Sequence, residues 1–154
     1  MIFETKEDIN APLEQVFPCV SDFAGFERSA LRRGADIKRL DNLTRDGAGM
    51  MWDIKFNLRG KRRELQLELV QFDAPDSMKF HTRSAGIKGV MSVDLIALSR
   101  SATRLNITLE MQASNLTGRL MLQSLKLARS SIANRVSARL EEFARATEAR
   151  IRSA

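Results

Sequence analysis

Apolar side chains recur at helical spacing along the last quarter of the chain, where neither Pro nor Gly interrupts the sequence from Arg119 to Ile151. The recurring positions are Met121, Leu125, Ile132, Val136, Leu140 and Phe143, in steps of three, four and seven. This pattern predicts one amphipathic helix whose length, at a rise of ~1.5 Å per residue, is close to ~50 Å. A helix of that length needs a broad apolar partner to cover its stripe.

The middle of the chain alternates apolar and polar residues with a period of two, which is typical of strands with one buried face. The apolar positions are Trp52, Ile54 and Phe56; Leu65, Leu67 and Leu69; Met78 and Phe80; Met91, Val93 and Leu95; and Leu105, Ile107, Leu109 and Met111. Short turns such as Arg59–Lys61 and Ser99–Ser101 separate these runs. They predict about six strands in antiparallel succession.

The first part of the chain reads as a strand followed by two short helices. Ile2–Ile9 predicts the strand, and Pro12 suits the first turn of the first helix. Ser21 or Asp22 can cap the second helix, which should end near Gly34. The whole order predicts an α+β fold in one domain, residues 1–154, with a curved antiparallel sheet of six to seven strands wrapped round the long C-terminal helix.

The beginning of the long helix is apolar on more than one face, at Leu120, Leu122 and Leu127. A helix of this kind needs cover beyond the sheet. The simplest cover is the second short helix, through Phe23 and Phe26. A second subunit or a membrane surface is the alternative, so the sequence leaves a monomer or a homodimer, and peripheral membrane contact, open.

Charge and composition restrict the partners. The formal net charge is +6, concentrated at Arg28, Arg32 and Arg33, in the Arg59–Arg63 turn and along the last helix. Such clusters are solvated faces or attract phosphates and anionic surfaces. The chain has no Tyr and a single Trp, so it lacks the aromatic platforms common in nucleic-acid recognition. The sequence therefore argues against a nucleic-acid partner.

Three features missing from the sequence bear on the cellular location of the protein. No apolar run reaches the ~20 residues of a membrane span. Residues 1–10 lack the basic and apolar regions of a signal peptide. A lone Cys19 offers no internal disulfide. We expect a cytoplasmic protein.

Catalytic and metal-binding motifs are missing from the sequence. His81 is the only histidine, and its strand parity places it with Lys79 and Arg83 on the solvent side. There is no Gly-x-Ser-x-Gly elbow, Cys-x-x-Cys pair, phosphate-binding Gly loop or His-Glu-x-x-His. The sequence therefore predicts no catalytic residue, no metal and no cofactor.

Several short motifs, in a fixed order, resemble those of one superfamily. They are Ile9-x-Ala11-Pro12-x-x-x-Val16-Phe17 followed by Asp22; Gly47-x-Gly49 before Trp52; Phe72-Asp73-Ala74-Pro75 before Met78 and Phe80; and Thr103-x-Leu105. With the closing helix, this order resembles the START-like (SRPBCC) superfamily, which includes polyketide cyclases, the major birch pollen allergen and lipid-transfer domains. The resemblance implies a helix-grip fold with an apolar cavity between sheet and helix.

The superfamily includes both carriers and enzymes. The resemblance therefore implies a ligand-binding fold but does not identify the ligand or a reaction. The leading expectation is the binding or transport of a small hydrophobic or amphipathic ligand such as a lipid, quinone or polyketide-like molecule. The alternatives are a cyclase- or dehydratase-type enzyme and a regulatory interaction module. An enzyme would need an ionisable group in the cavity, and Asp53, Asp94 or Arg83 would point there only if the strand parities were reversed.

Inward strand positions and the helix stripe indicate which side chains line such a cavity. The predicted lining residues are Phe23, Phe26, Trp52, Ile54, Phe56, Leu67, Phe80, Met91, Val93, Ile107, Leu109, Met121, Leu125 and Ile132.

Overall fold

The computed structural model describes residues Met1 to Ala154 and contains one seven-stranded antiparallel sheet. Its strands are β1 Ile2–Ile9, β2 Asp36–Arg39, β3 Met51–Leu58, β4 Lys61–Asp73, β5 Ser77–Ser84, β6 Ile87–Ser99 and β7 Ala102–Ala113. Their order across the sheet is β1-β7-β6-β5-β4-β3-β2, so each strand from β2 to β7 lies beside its neighbour in sequence. The predicted α+β fold and its curved antiparallel sheet are confirmed.

Four helices cover the sheet: α1 Leu13–Val20, α2 Phe23–Arg32, α3 Leu116–Leu127 and α4 Arg129–Arg152. The side chain of Asp22 caps α2 by accepting a hydrogen bond from the Gly25 backbone N–H at 3.1 Å. The first two helices match the prediction. None of the four is both long and apolar enough to cross a bilayer.

The predicted single C-terminal helix is divided at Ala128, whose φ of −98° and ψ of 12° interrupt the regular helical geometry. The two pieces are held by different surfaces. Asn115 caps α3, and Gly118 sits so close to the Gly86 carbonyl that a Cβ there would overlap it. Because α3 packs on β7 whereas α4 runs along β1, the chain bends between them without a Pro or Gly.

Several polar contacts hold α4 against β1, at both ends of the helix. At its start, the Arg129 guanidinium donates to the Ile2 carbonyl oxygen at 2.7 Å and lies 5.3 Å from the centre of the Phe3 ring. Near its end, the Glu148 carboxylate accepts from the Asn10 backbone N–H at 2.7 Å. The helix is therefore fixed to one edge of the sheet.

The sheet is wider than its longest helix can cover. Seven strands at ~4.8 Å spacing span roughly 29 Å, whereas a helix with its side chains is ~10 Å across. The core lies where α1 and α4 meet the concave face, around Ile9, Val16, Leu105 and Ala144. Toward β2 and β3 only α2 remains to cover the apolar surface. The two helices α2 and α4 together leave the cavity described below over the concave face.

The leucines of α3 are not covered by α2. Leu122 is buried, but Leu120 is 58% and Leu127 92% exposed. Phe23 and Phe26 pack instead on Trp52 and Phe143, respectively. The expected cover of this helix by the second short helix is therefore wrong, because the bend at the end of α3 and its packing on β7 turn these leucines toward solvent.

A carboxylate organises the connection between β2 and β3. Asp41 accepts two hydrogen bonds from the Arg39 guanidinium, at 2.8 and 2.6 Å, and others from the backbone N–H groups of Met51 and Leu43 at 2.8 and 3.0 Å. The Arg39 guanidinium and these backbone donors hold the pKa of Asp41 well below its ordinary value of 3.8. The pair also fixes Arg39 beside the Trp52 ring, 5.5 Å from its centre.

We predict that Asp41→Asn lowers the melting temperature by a few degrees at neutral pH, because the uncharged amide loses the ion pair. Because folding lowers the pKa of Asp41, the difference in melting temperature between wild type and variant is complete above the ordinary pKa of an Asp side chain. This difference shrinks as the pH falls below about 4. Melting curves of both proteins, recorded between neutral and strongly acidic pH, measure this difference. The exposed Asp76→Asn is the matched control, and an advantage that does not shrink in acid would contradict the assignment.

Candidate ligand-binding cavity

An apolar cavity of about 490 Å³ lies between the concave face of the sheet and helices α2 and α4. All but three of its lining residues are hydrophobic; the exceptions are Thr5, Glu27 and Arg139. The volume falls in the range of small-molecule sites, roughly 300–1,000 Å³. The site can therefore hold a medium-sized organic molecule against an almost wholly apolar wall.

The structure brings most of the predicted lining residues together. Those in the cavity wall are Phe23, Phe26, Trp52, Ile54, Leu67, Phe80, Met91, Val93 and Ile107. Those outside it are Phe56, Leu109, Met121, Leu125 and Ile132. The division follows position along the elements: Phe56, for example, pairs with Arg63 near the β3–β4 turn. Strand parity indicates the face on which a residue lies, but not how far along the strand the cavity extends.

The remaining walls come from further strand positions and from the apolar stripe of the last helix. They include Ile37, Met78, Leu105, Val136, Leu140 and Phe143. The charged members of the wall, Glu27 and Arg139, are not among the predicted lining residues. Helical spacing could have found both, because Glu27 follows Phe23 by four residues and Arg139 lies between Val136 and Phe143 in steps of three and four.

Three aromatic side chains pack together in the cavity wall. The ring centres of Phe23 and Trp52 are 5.5 Å apart, those of Phe23 and Phe80 6.5 Å, and those of Trp52 and Phe80 6.4 Å. The Phe23 and Phe80 rings meet nearly edge to face, with 79° between their planes, and the other two pairs are tilted by 49°. Because one ring comes from α2 and the others from β3 and β5, this cluster joins α2 to the sheet.

A short polar network crosses this aromatic wall. The Trp52 indole N–H donates to Oε1 of Glu27 at 2.8 Å, and Arg39 lies against the same indole. The second oxygen of Glu27 has no donor within the protein. The network therefore fixes one carboxylate oxygen at the cavity wall and leaves the other free to meet a ligand.

The exposed residues of the cavity lining, Phe26, Val136 and Arg139, lie on α2 and α4. Here the rings of Phe26 and Phe143 stack at 5.8 Å with their planes 17° apart. Phe26 and Val136 are each 46% exposed, and Arg139 is largely exposed beside them. An apolar rim with one cation suits a molecule whose body is apolar and whose end is polar.

The ionisable residues considered in the strands stay outside the cavity. Arg83 and His81 line a polar depression of about 310 Å³ on the opposite face, together with Glu68, Lys88 and Glu110. Asp53 pairs with Gln66 on that face, as its strand parity predicts. Any proton transfer inside the cavity therefore falls to Glu27, which an α-helix supplies.

A helix-gripping sheet with an apolar cavity defines the class of this protein. Residues 1–148 match the model of the family described as "Polyketide cyclase / dehydrase and lipid transport". The chain belongs to that family, which confirms the resemblance to the START-like superfamily. No curated protein sequence matches the chain.

Solved structures agree on the fold. The protein TTHA0849 from Thermus thermophilus is 16% identical with a TM-score of 0.71, covering 97% of this chain and 98% of its own. An aromatase/cyclase from Streptomyces sp. R1128 is 14% identical with a TM-score of 0.71, covering 98% and 95%. Norcoclaurine synthase from Thalictrum flavum is 12% identical with a TM-score of 0.70, covering 100% and 87%. At these identities the likeness shows the fold alone.

We predict that Glu27→Leu lowers the free energy of unfolding by ~1–3 kcal/mol, because it leaves the buried Trp52 indole N–H without an acceptor. Glu27→Gln should lose less, since its amide oxygen can accept the same bond. Urea unfolding followed by Trp52 emission measures both, and the single Trp makes the signal specific. Equal stability of the two variants would contradict the importance of this hydrogen bond.

Proposed function

We propose that this protein binds, and by binding transports, one small amphipathic molecule in the cavity between the sheet, α2 and α4. The observation that carries the proposal is a continuous apolar wall interrupted only by Thr5, Glu27 and Arg139. Such a wall favours a guest by removing its hydrocarbon surface from water. The family description, which includes lipid transport, supports the same class of ligand.

Burial of apolar surface supplies the main favourable contribution to the binding free energy. A guest that buries ~200 Å² of apolar surface gains ~5 kcal/mol at ~25 cal/mol per Å² before the cost of immobilisation. Glu27 offers a hydrogen-bond acceptor to a hydroxyl or amine, and Arg139 offers a cation to an anionic end group at the rim. These two groups decide orientation, while the apolar wall supplies most of the affinity.

A blocked cavity tests the proposal. We predict that Met91→Trp, which fills space at the cavity wall, weakens binding of a dansyl-labelled fatty acid about tenfold or more, because the added indole takes the place of the guest. The dansyl emission is excited directly, so the new Trp does not interfere. Met111→Trp is the matched control, because Met111 lies outside the cavity on a neighbouring strand.

Equal weakening by both Trp variants, or no binding to the wild type, would contradict the carrier role. Mass spectrometry of a solvent extract provides a second measurement. The wild type purified from cells should release a lipid-like molecule in near-stoichiometric amount, and Met91→Trp should release much less. A wild-type protein that is folded and empty in this assay would argue against a resident ligand.

Glu27 favours a second candidate function, that of a cyclase- or dehydratase-type enzyme. A carboxylate beside an apolar, largely dry wall can take a proton from a bound substrate, and one of its oxygens is free to do so. The cavity would hold the substrate in a reactive conformation. This role uses Glu27, the same residue that orients the ligand in the carrier.

Nitrobenzisoxazole reports such a base without knowledge of the natural substrate. Removal of its ring proton by Glu27 sends the C–H electron pair into a nitrile, breaks the N–O bond and releases a coloured nitrophenolate. We predict that wild type opens the ring at least about a hundredfold faster than Glu27→Gln. The exposed Glu64→Gln should behave as wild type. Equal rates for all three proteins would leave the carrier as the sole proposal.

The proposed place of action is the cytoplasm. Cys19 is free and buried in α1, so the thiol serves as a packed side chain that needs no oxidising compartment.

A further inference from the structure

Helix α3 carries a stripe of leucines that nothing in the protein covers. Leu116, Leu120 and Leu127 are 68%, 58% and 92% exposed, and their spacing of four and seven residues places them along one face. The buried side of the helix, at Gly118 and Leu122, points the other way. We call these three side chains the leucine stripe. An exposed apolar ridge of this kind marks an interaction surface.

Basic side chains border the leucine stripe on both sides. Arg119 and Lys126 are exposed on α3 directly beside it, one residue before Leu120 and Leu127, respectively. On the other flank the β3–β4 turn approaches, where the Arg59 guanidinium donates to the Ser124 hydroxyl at 2.5 Å. Lys61 is exposed in the same turn. We call Arg59, Lys61, Arg119 and Lys126 the basic margin.

The basic margin has no counter-charge within the protein. None of its four cations takes part in an ion pair. The sequence has no Asp or Glu between Glu110 and Glu141, which spans all of α3, and none between Asp53 and Glu64, which spans the turn. This end of the molecule therefore presents hydrocarbon and uncompensated positive charge together.

We infer that the leucine stripe and the basic margin dock α3 on an anionic membrane surface. The leucines enter the boundary between headgroups and acyl chains, and the cations contact lipid phosphates. Interfacial helices bind by this combination of buried apolar area and attraction to anionic lipid. The docking surface is separate from the cavity wall and does not require the cavity to hold a ligand.

The charges favour a membrane over a second copy of the chain. A two-fold dimer through the leucine stripe would bring the basic margin of one protomer toward that of the other, and like charges in contact oppose association. A bilayer also accepts a protruding ridge such as Leu127 without a shaped pocket. Anionic lipid therefore satisfies both features at once.

Vesicle co-sedimentation tests the inference with the full chain. Wild type should bind vesicles of phosphatidylcholine mixed with phosphatidylglycerol, bind weakly to phosphatidylcholine alone, and dissociate as salt is raised. Each cation removed by Arg119→Gln or Lys126→Gln should weaken binding about fivefold. Removing hydrocarbon by Leu120→Ser with Leu127→Ser should weaken it about tenfold or more. Circular dichroism checks that the exposed substitutions leave the fold intact.

Matched controls remove the same chemistry elsewhere. Leu31→Ser with Leu98→Ser deletes two leucines that are 54% and 45% exposed away from α3. Arg100→Gln with Arg152→Gln deletes two exposed cations of the same kind. Both control pairs should bind vesicles as wild type. If they weaken binding as much as the α3 variants, the attraction is a property of net charge and the docking surface is overturned.

A label reports the insertion of the leucine stripe directly. Cys19 is buried, so Leu127→Cys provides one accessible thiol for an environment-sensitive NBD dye. Its emission should shift to the blue on anionic vesicles, whereas the dye on Leu98→Cys should not. An unshifted dye at Leu127, or a wild-type dimer that Leu127→Ser dissociates in the absence of lipid, would overturn the inference in favour of self-association.

Discussion

The difference in width between a seven-stranded sheet and a single helix governs this structure. Because α4 is fixed to the β1 edge by Arg129 and Glu148, its apolar stripe covers only part of the concave face. The strands on the far side must be covered by α2 or left open. The cavity is the space over the concave face that α4 and α2 cover together without filling, and aromatic contacts to Trp52 and Phe80 hold α2 in place.

The polar network at the cavity wall places fixed polar groups in a mostly hydrophobic site. Asp41 holds Arg39, Arg39 lies on the Trp52 ring, and the indole of Trp52 donates to Glu27. Each member restrains the next, so a loop carboxylate in the β2–β3 connection contributes to the placement of a carboxylate in the cavity. Fixed polar groups of this kind orient a ligand whose affinity comes from apolar burial.

The two proposed apolar binding surfaces, the ligand cavity and the leucine stripe, lie on different parts of the molecule. The cavity is concave and lies between the sheet and helices α2 and α4, whereas the leucine stripe is convex and bordered by uncompensated cations. The bend at Ala128 makes this separation possible, because it lets α3 follow β7 while α4 follows β1. One continuous helix could not satisfy both packing directions.

Local patterns in the sequence determined the strands, the short helices and the inward face of each strand, since alternation and capping act between near neighbours. They also indicated residues such as Trp52, Phe80 and Val93, which do line the cavity. Tertiary packing decided the break at Ala128, the exposure of Leu127 and the cavity's limits short of Phe56. Those features depend on where separate elements meet and how much surface each covers, and periodicity along the chain carries no information about either.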